Sequence, residues 1–319
     1  MLNSVLVSVV IPTHGRPQWV VCAVKSALAQ SYATLEVIVV VDGPDPNTAD
    51  GLRGIHDERL RVIELSENVG GAEARNIGVR EARGEWVAFL DDDDEWAAEK
   101  LEKQLDATAF IEARYPIMSS KLLVHDFDKS RILPRRLYTP SQNVSEYLFC
   151  RTGISYGDGM LQTSTLLVKR RLLLEVQFQK GLKRHQDWDW LLKVAAKRDV
   201  EIVMLPEVLA RMHVGEQGGS VSQSGDWEGS LVWAKTARPL MSAKAYSYFI
   251  ATECVPRARM CRESPAVYMQ LLWECLWYGK PGLWQTVLFV SFCIAPQKIK
   301  NQFRRRATAV STEQWRAYN

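Results

Sequence analysis

Trp86-Val87-Ala88-Phe89-Leu90-Asp91-Asp92-Asp93-Asp94-Glu95 is an apolar run that stops abruptly in five consecutive acids. Its first half, Trp86 to Leu90, reads as a short strand buried on both faces. Its second half is electrostatically expensive, since two unit charges about 4 Å apart repel by roughly 4 kcal/mol at an effective dielectric near 20. A divalent cation relieves that repulsion. Carboxylate oxygens are hard ligands that select Mg2+ or Mn2+, shared with substrate phosphates rather than caged by protein alone. The same acids would also cap and charge a helix that begins at Trp96.

Outward from this stretch, apolar β-rich runs alternate with helical ones. Strands are expected at Val5 to Ile11, Glu36 to Val41 and Leu60 to Leu65, and helices at Gln18 to Gln30, Gly71 to Arg83 and Ala97 to Arg114. This order predicts an α/β fold, a mostly parallel mixed sheet flanked by helices. Ligands of such sheets bind beyond the carboxyl ends of the strands. Three polar turns stand there, Pro12-Thr13-His14-Gly15-Arg16, Asp42-Gly43-Pro44-Asp45 and Asp91 to Glu95, and they are expected to converge on one edge. The sheet continues through Ile117 to Val124, Thr163 to Val168, Glu201 to Leu205 and Val208 to Val214, with a helix at Asp187 to Lys197. Gly215 to Gly229 has no periodicity and reads as a loop that would order over a ligand. The chain then turns helical and tryptophan-rich and ends basic, so it divides into residues 1–225 and 226–319.

The composition, 47% apolar and 24% charged over 319 residues, is that of a globular protein. Forty basic against 37 acidic side chains leave a net charge of +3, which excludes a nucleic-acid-binding surface over the whole molecule. Cys22, Cys150, Cys254, Cys261, Cys275 and Cys293 form no C-x-x-C pair and read as reduced core thiols in a cytosol-like compartment. The apolar N-terminus lacks a basic flank and reads as a strand rather than a signal peptide. Leu283 to Ala295 is shorter than the ~20 residues a membrane span needs. With Trp273, Trp277, Tyr278 and Trp284 before or within it and Lys298, Lys300, Arg304, Arg305 and Arg306 after it, this region suits a packed helical subdomain with a solvated tail. It equally suits an anionic membrane surface.

Two more stretches carry chemistry. In His185-Gln186-Asp187-Trp188-Asp189-Trp190 a helix begins whose Trp188, Leu191, Leu192 and Ala195 share one face. Asp187 at its start is either a general base or an N-cap, and Asp189 is a rival for the first role. Asn68 to Gly78 is a glycine turn opening a helix that carries Arg75, a combination suited to phosphate. No G-x-G-x-x-G follows the first strand and no G-x-x-x-x-G-K-[ST] occurs anywhere, which removes support for hydride transfer and P-loop chemistry.

Taken in order, Ser8 to Thr13, Glu36 to Gly43, Asn68 to Gly78, Phe89 to Trp96 and Gln186 to Asp189 resemble the motif set of family 2 glycosyltransferases with the GT-A fold, over about Val5 to Ser222. The resemblance implies an inverting transfer from a nucleoside-diphosphate sugar, most commonly of UDP, to a hydroxyl of a glycan or lipid-linked acceptor. It implies cell-surface polysaccharide or glycolipid synthesis by a cytoplasmic protein, peripheral on the inner face of the membrane. It places Pro12, Thr13, Arg16 and Asp42 around the base and ribose and Arg75 near the base or diphosphate. Asp91 falls toward ribose and metal, Asp93 becomes the principal ligand of Mn2+ or Mg2+, and Asp187 the catalytic base. His213, in Arg211-Met212-His213, falls near the metal and diphosphate.

Two positions depart from the family pattern. Val41 precedes Asp42 where paired aspartates are frequent, and Gln186 stands where a glutamate often precedes the catalytic aspartate, which lessens the electrostatic raising of Asp187's pKa. Two other readings remain. A sugar nucleotidyltransferase would show a glycine-rich loop with arginine and lysine after the first strand. A catalytically silent nucleotide- or glycan-binding protein would not need the Asp91, Asp93 and Asp187 set, and donor turnover separates it from an enzyme.

Overall fold

In the computed structural model, which describes residues 5–126, 129–151, 157–214 and 225–294, strand β1 (Val7–Thr13) lies between two parallel neighbours and is buried along its whole length. Alternation still decides which way each side chain faces. Val10 enters the core under one sheet face, while Val9 and Ile11 enter the core under the other. The chain continues through α1 (Pro17–Leu28), β2 (Leu35–Val41), α2 (Pro46–Arg53), β3 (Leu60–Glu64), α3 (Gly71–Glu81) and β4 (Trp86–Phe89). The four strands pair in parallel in the order β3-β2-β1-β4. Helix α3 lies close on β1 because Gly78 has no side chain; a Cβ there would fall 2.4 Å from Val10 Cγ1.

Beyond the aspartates come β5 (Asp94–Trp96), α4 (Lys100–Thr108), β6 (Tyr115–Asp126), β7 (Lys129–Leu133) and α5 (Val144–Phe149). A 3₁₀ turn (Thr163–Thr165), β8 (Leu167–Lys169), α6 (Arg170–Glu175), α7 (Gln186–Ala195) and β9 (Val200–Val214) follow. The sheet order is β3-β2-β1-β4-β8-β6-β9-β5, with β7 paired to β6. Strand β8 runs antiparallel to β4 and β6, and β6 and β9 are parallel. The expected mostly parallel mixed sheet is therefore present.

Three local expectations change. Asp94–Trp96 pairs antiparallel with Ala210–Met212 of β9, so the acids do not open a helix at Trp96. The helix starts at Lys100, after an N-cap position occupied by Glu99 that makes no side-chain cap bond. The strand expected from Thr163 begins only at Leu167, because the Gln162 side chain accepts from the Ser164 N–H and winds the intervening residues into the 3₁₀ turn. The two strands expected at Glu201 to Leu205 and Val208 to Val214 are one strand, β9. Along it the partner register steps from Leu205 to Val208 and leaves Pro206, which has no N–H to give, in a bulge.

The C-terminal part is helical, with α8 (Trp227–Ala237), α9 (Ala243–Phe249), α10 (Val255–Met260), α11 (Pro265–Gly279) and α12 (Leu283–Ile294). Its core closes on Phe149 of α5 and Leu192 of α7, so these helices pack against the sheet domain. Cys150, Cys254 and Cys275 are buried, but Cys22 and Cys261 are exposed and depart from the core-thiol expectation. No described helix is long and apolar enough to cross a membrane. Most of the expected loop, residues 215–224, and the basic residues from Lys298 to Arg306 lie outside the described residues.

Candidate active site

The turns after β1, β2 and β4 meet because those strands are neighbours. The Asp42 N–H donates to the Thr13 carbonyl at 2.8 Å, and Thr13 Oγ1 donates to Asp92 Oδ2 at 2.8 Å. Within the acidic turn the four carboxylates alternate. Asp92 and Asp94 are buried, whereas Asp91 and Asp93 keep 24% and 29% of their side chains exposed on the open side.

Each carboxylate has its own partners. Arg75 Nη2 donates to Asp91 Oδ1 at 2.5 Å, and Gln162 Nε2 donates to Asp91 Oδ2 at 3.1 Å. One nitrogen of Arg16 lies 2.9 Å from both Asp92 and Asp93. Asp94 accepts from Ser164 Oγ at 2.6 Å and Gln162 Nε2 at 2.9 Å. Two guanidinium groups thus supply part of the compensation that the sequence assigns to a metal. Compensation is incomplete: burial, then Asp91 and Asp92, push the Asp93 carboxyl up to about 6 against the pull of Arg16. Burial likewise raises Asp92, and raises Asp94 well above the usual range.

A divalent ion fits this chemistry. Asp91 and Asp93 keep hard oxygens partly exposed, and the burial and neighbouring carboxylates that raise the Asp93 carboxyl are penalties on its charged form that a cation would offset. Among the described residues no three His, Cys, Asp or Glu side chains converge to hold an ion by themselves. His213 stands apart from Asp91 and Asp93 in its contacts. Its Nε2 lies 3.1 Å from Glu95 Oε1, and its ring packs on Trp19 and His125.

Asp42 does structural duty. Its two carboxylate oxygens accept from the N–H groups of Val69 at 2.7 Å and Gly70 at 2.9 Å, which fastens the loop that opens α3. Gly43 allows that approach with φ 98°, a conformation other residues rarely adopt. From the first turns of α3, Arg75 bridges the acidic turn and α7, with Nη1 donating to Gln186 Oε1 at 3.1 Å while Nη2 holds Asp91. Burial would lower its pKa, but Asp91 and Asp187 together keep it raised.

Asp187 and Asp189 separate clearly. Helix α7 starts at Gln186 after His185, and that N-cap position makes no side-chain cap bond, so Asp187 is not a cap. Burial raises the Asp187 pKa, with Asp91 adding to the effect and Arg75 opposing it. Asp189 is buried and turned toward the C-terminal helices, where it accepts from Trp233 Nε1 at 3.1 Å and pairs with Lys193 at 2.7 Å. Gln162 and Ser164 were missed by the sequence reading. The signal available was Gln162-Thr163-Ser164-Thr165, four polar residues ahead of an apolar strand.

Comparison with known proteins adds to this geometry. The family described as Glycosyl transferase family 2 matches residues 8–140. The amylovoran biosynthesis glycosyltransferase AmsB of Erwinia amylovora is 30% identical over 261 residues, 77% of this chain and 83% of that protein. WfgD of Escherichia coli, a UDP-Glc:alpha-D-GlcNAc-diphosphoundecaprenol beta-1,3-glucosyltransferase, is 30% identical over 131 residues, 40% of this chain and 52% of that protein. Among solved structures, the mannosyltransferase PcManGT from Pyrobaculum calidifontis in complex with GDP-Man and Mn2+ shares the fold, with a TM-score of 0.52 at 18% identity over 98% of this chain and 78% of that one.

Proposed function

The chain belongs to glycosyl transferase family 2 and has a GT-A fold, and from that premise we propose that it is an inverting enzyme transferring a sugar from a UDP-sugar to an acceptor hydroxyl. The observation that carries this reading is Arg75, which touches Asp91 on one side and Gln186 beside Asp187 on the other and so joins an acidic turn to a raised carboxylate. UDP is favoured because WfgD is named for UDP-Glc.

In this mechanism Asp187 accepts the proton of the acceptor hydroxyl as its oxygen bonds to the anomeric carbon. The bond from that carbon to the diphosphate breaks on the opposite face, and the configuration inverts. Burial serves this step, because a carboxylate with a raised pKa is a stronger base. Arg75 would face the diphosphate, and Pro12, Thr13, Arg16 and Asp42 would lie toward the base and ribose. Asp93 and Asp91 would hold Mn2+ or Mg2+, while His213 stays paired with Glu95, and the ion when bound would supply positive charge to the departing diphosphate.

The acceptor is proposed to be lipid-linked, as in the name of WfgD. Met269, Trp273, Leu276 and Trp277 line the outer side of α11, and Leu283, Val287 and Val290 that of α12, all exposed. The basic residues from Lys298 to Arg306 follow in sequence. Aromatic anchors beside such a segment suit the anionic inner face of a membrane. The full chain is expected to float with vesicles containing phosphatidylglycerol and a W273A/W277A variant to remain below; equal flotation of both removes this part of the proposal.

The reaction itself is tested by thermal unfolding with UDP, GDP, dTDP or CMP, each with and without Mn2+. A ligand at 100 times its dissociation constant adds about 2.7 kcal/mol. A Mn2+-dependent shift with UDP that disappears in Asp93→Ala supports the donor assignment, and no shift with any nucleotide overturns it.

A further inference from the structure

The approach to Asp187 runs through an unusual backbone. His185 has φ 61° and ψ 21°, in the left-handed region that residues other than glycine seldom occupy. Its ring is stacked on Trp188 with centroids 4.9 Å apart, lies 4.8 Å from the Trp233 ring of α8, and meets Phe249 of α9 edge-on at 5.3 Å. Its Nε2 is 2.9 Å from Ser230 Oγ, also on α8. Trp233 acts a second time, since its indole N–H is the donor to Asp189. The residues two before and two after Asp187 are therefore both held by one buried side chain from the C-terminal helices. The partners of the acidic turn named above, Thr13, Arg16, Arg75, Gln162 and Ser164, all belong to the sheet domain.

We propose that Trp233 and His185 are positioning residues, and that the C-terminal helices set the aim of Asp187 without taking part in donor binding. This rests on the reading of Asp187 as the base. A base misplaced by about 1 Å can lose on the order of 100-fold in rate. Trp233→Phe keeps an aromatic ring in the cage but removes the indole donor to Asp189 and, being smaller, part of the packing on His185 and Phe249. Its turnover is expected to fall about 10-fold or more, while KM for the donor and the thermal shift with UDP and Mn2+ stay within about twofold of wild type.

The probe is the UDP-sugar giving the largest thermal shift, with water as acceptor and UDP release as readout. Hydrogen exchange supplies a readout that needs no substrate: amides of residues 185–189 are expected to exchange faster in Trp233→Phe while those of residues 86–96 are unchanged. His185→Asn, which tolerates the left-handed backbone but loses the ring contacts, is expected to behave alike. Wild-type turnover and exchange in Trp233→Phe overturn the proposal, as does a loss of UDP binding in proportion to turnover. Asp187→Asn, assayed in parallel, separates the two readings. If it is inactive while Trp233→Phe is normal, only the positioning role falls; if it turns over normally, the base assignment falls and this inference with it.

Discussion

The acidic turn Asp91–Asp94 and the first turn of α7 face each other across Arg75, yet they are held in place by different physics. The acidic turn is a charge lattice in which Arg75 pairs with Asp91 and Arg16 with Asp92 and Asp93, and in which burial and neighbouring carboxylates leave Asp92 and Asp93 with raised pKa values. The first turn of α7 is held mainly by ring packing, with His185 enclosed by Trp188, Trp233 and Phe249. A charge lattice changes with every ion that enters or leaves, which would suit the diphosphate binding proposed for this turn. Ring packing is indifferent to ions and would suit the proposed base, whose aim must not drift.

The sharpest way to break this comparison is to remove chemistry from each side. Asp187→Asn should lower turnover by about 10³-fold and leave the thermal shift with UDP and Mn2+ intact, whereas Asp93→Ala should abolish that shift. Equal loss of the shift in both would mean that the two regions are one unit.

Stability gives the next largest effect. Phe249→Ala empties a fully buried ring position in the cage and should cost about 3–5 kcal/mol in urea unfolding. Asp93→Asn without metal should instead stabilise the protein, by on the order of 2 kcal/mol at pH 7. The sign follows from its raised pKa. The folded state binds the Asp93 proton up to about pH 6, while the unfolded chain releases it near 3.8, so the ionised carboxylate works against folding at neutral pH.

Acid titration should show the two regions moving in opposite directions. Burial, with Arg257 and Arg184 nearby, lowers His185 from 6.5 to about 3. Its contribution is complete above the unfolded value of 6.5 and is lost as pH falls toward 3, at about 1.4 kcal/mol per pH unit. Asp93 contributes the reverse slope between 6 and 3.8. Urea unfolding of His185→Asn across this range should lack the first component and keep the second.

The smallest effect is expected at the contact between the regions. Gln186→Glu would place a second carboxylate beside Asp187 and draw on Arg75, raising the base's pKa. The acid limb of turnover should move to higher pH by a fraction of a unit; no movement, or movement to lower pH, would show that residue 186 does not act on Asp187 through its charge.

The sheet was readable where burial on both faces left nearly unbroken apolar runs, as in β1, β2 and β4, and the polar turns after those strands pointed correctly to one edge. The readings failed where a short segment takes its structure from a distant partner. Asp94–Trp96 looks like the start of a helix and becomes a strand only because Ala210–Met212 lies alongside it. Gln162 and Ser164 join the site because a 3₁₀ turn brings them beneath Asp91 and Asp94. Short α2, α5, α6 and β7 carried too little periodicity to be recognised.

The sequence by itself determined the family, the parallel core and the set of acids gathered at its edge, because each is written in contiguous residues whose burial or charge is a local property. Apart from what the family resemblance implies, it could not distribute roles within that set. Asp187 and Asp189 sit two residues apart in near-identical surroundings, and only the packed structure turns one toward Arg75 and the other toward Trp233. Likewise Asp42 and Asp93 are both aspartates beyond a strand, but one is bound to the Val69 and Gly70 amides while the other is paired with Arg16 and raised by burial beside Asp91 and Asp92. What a carboxylate can do depends on its neighbours, and those neighbours come from elements far apart in the chain.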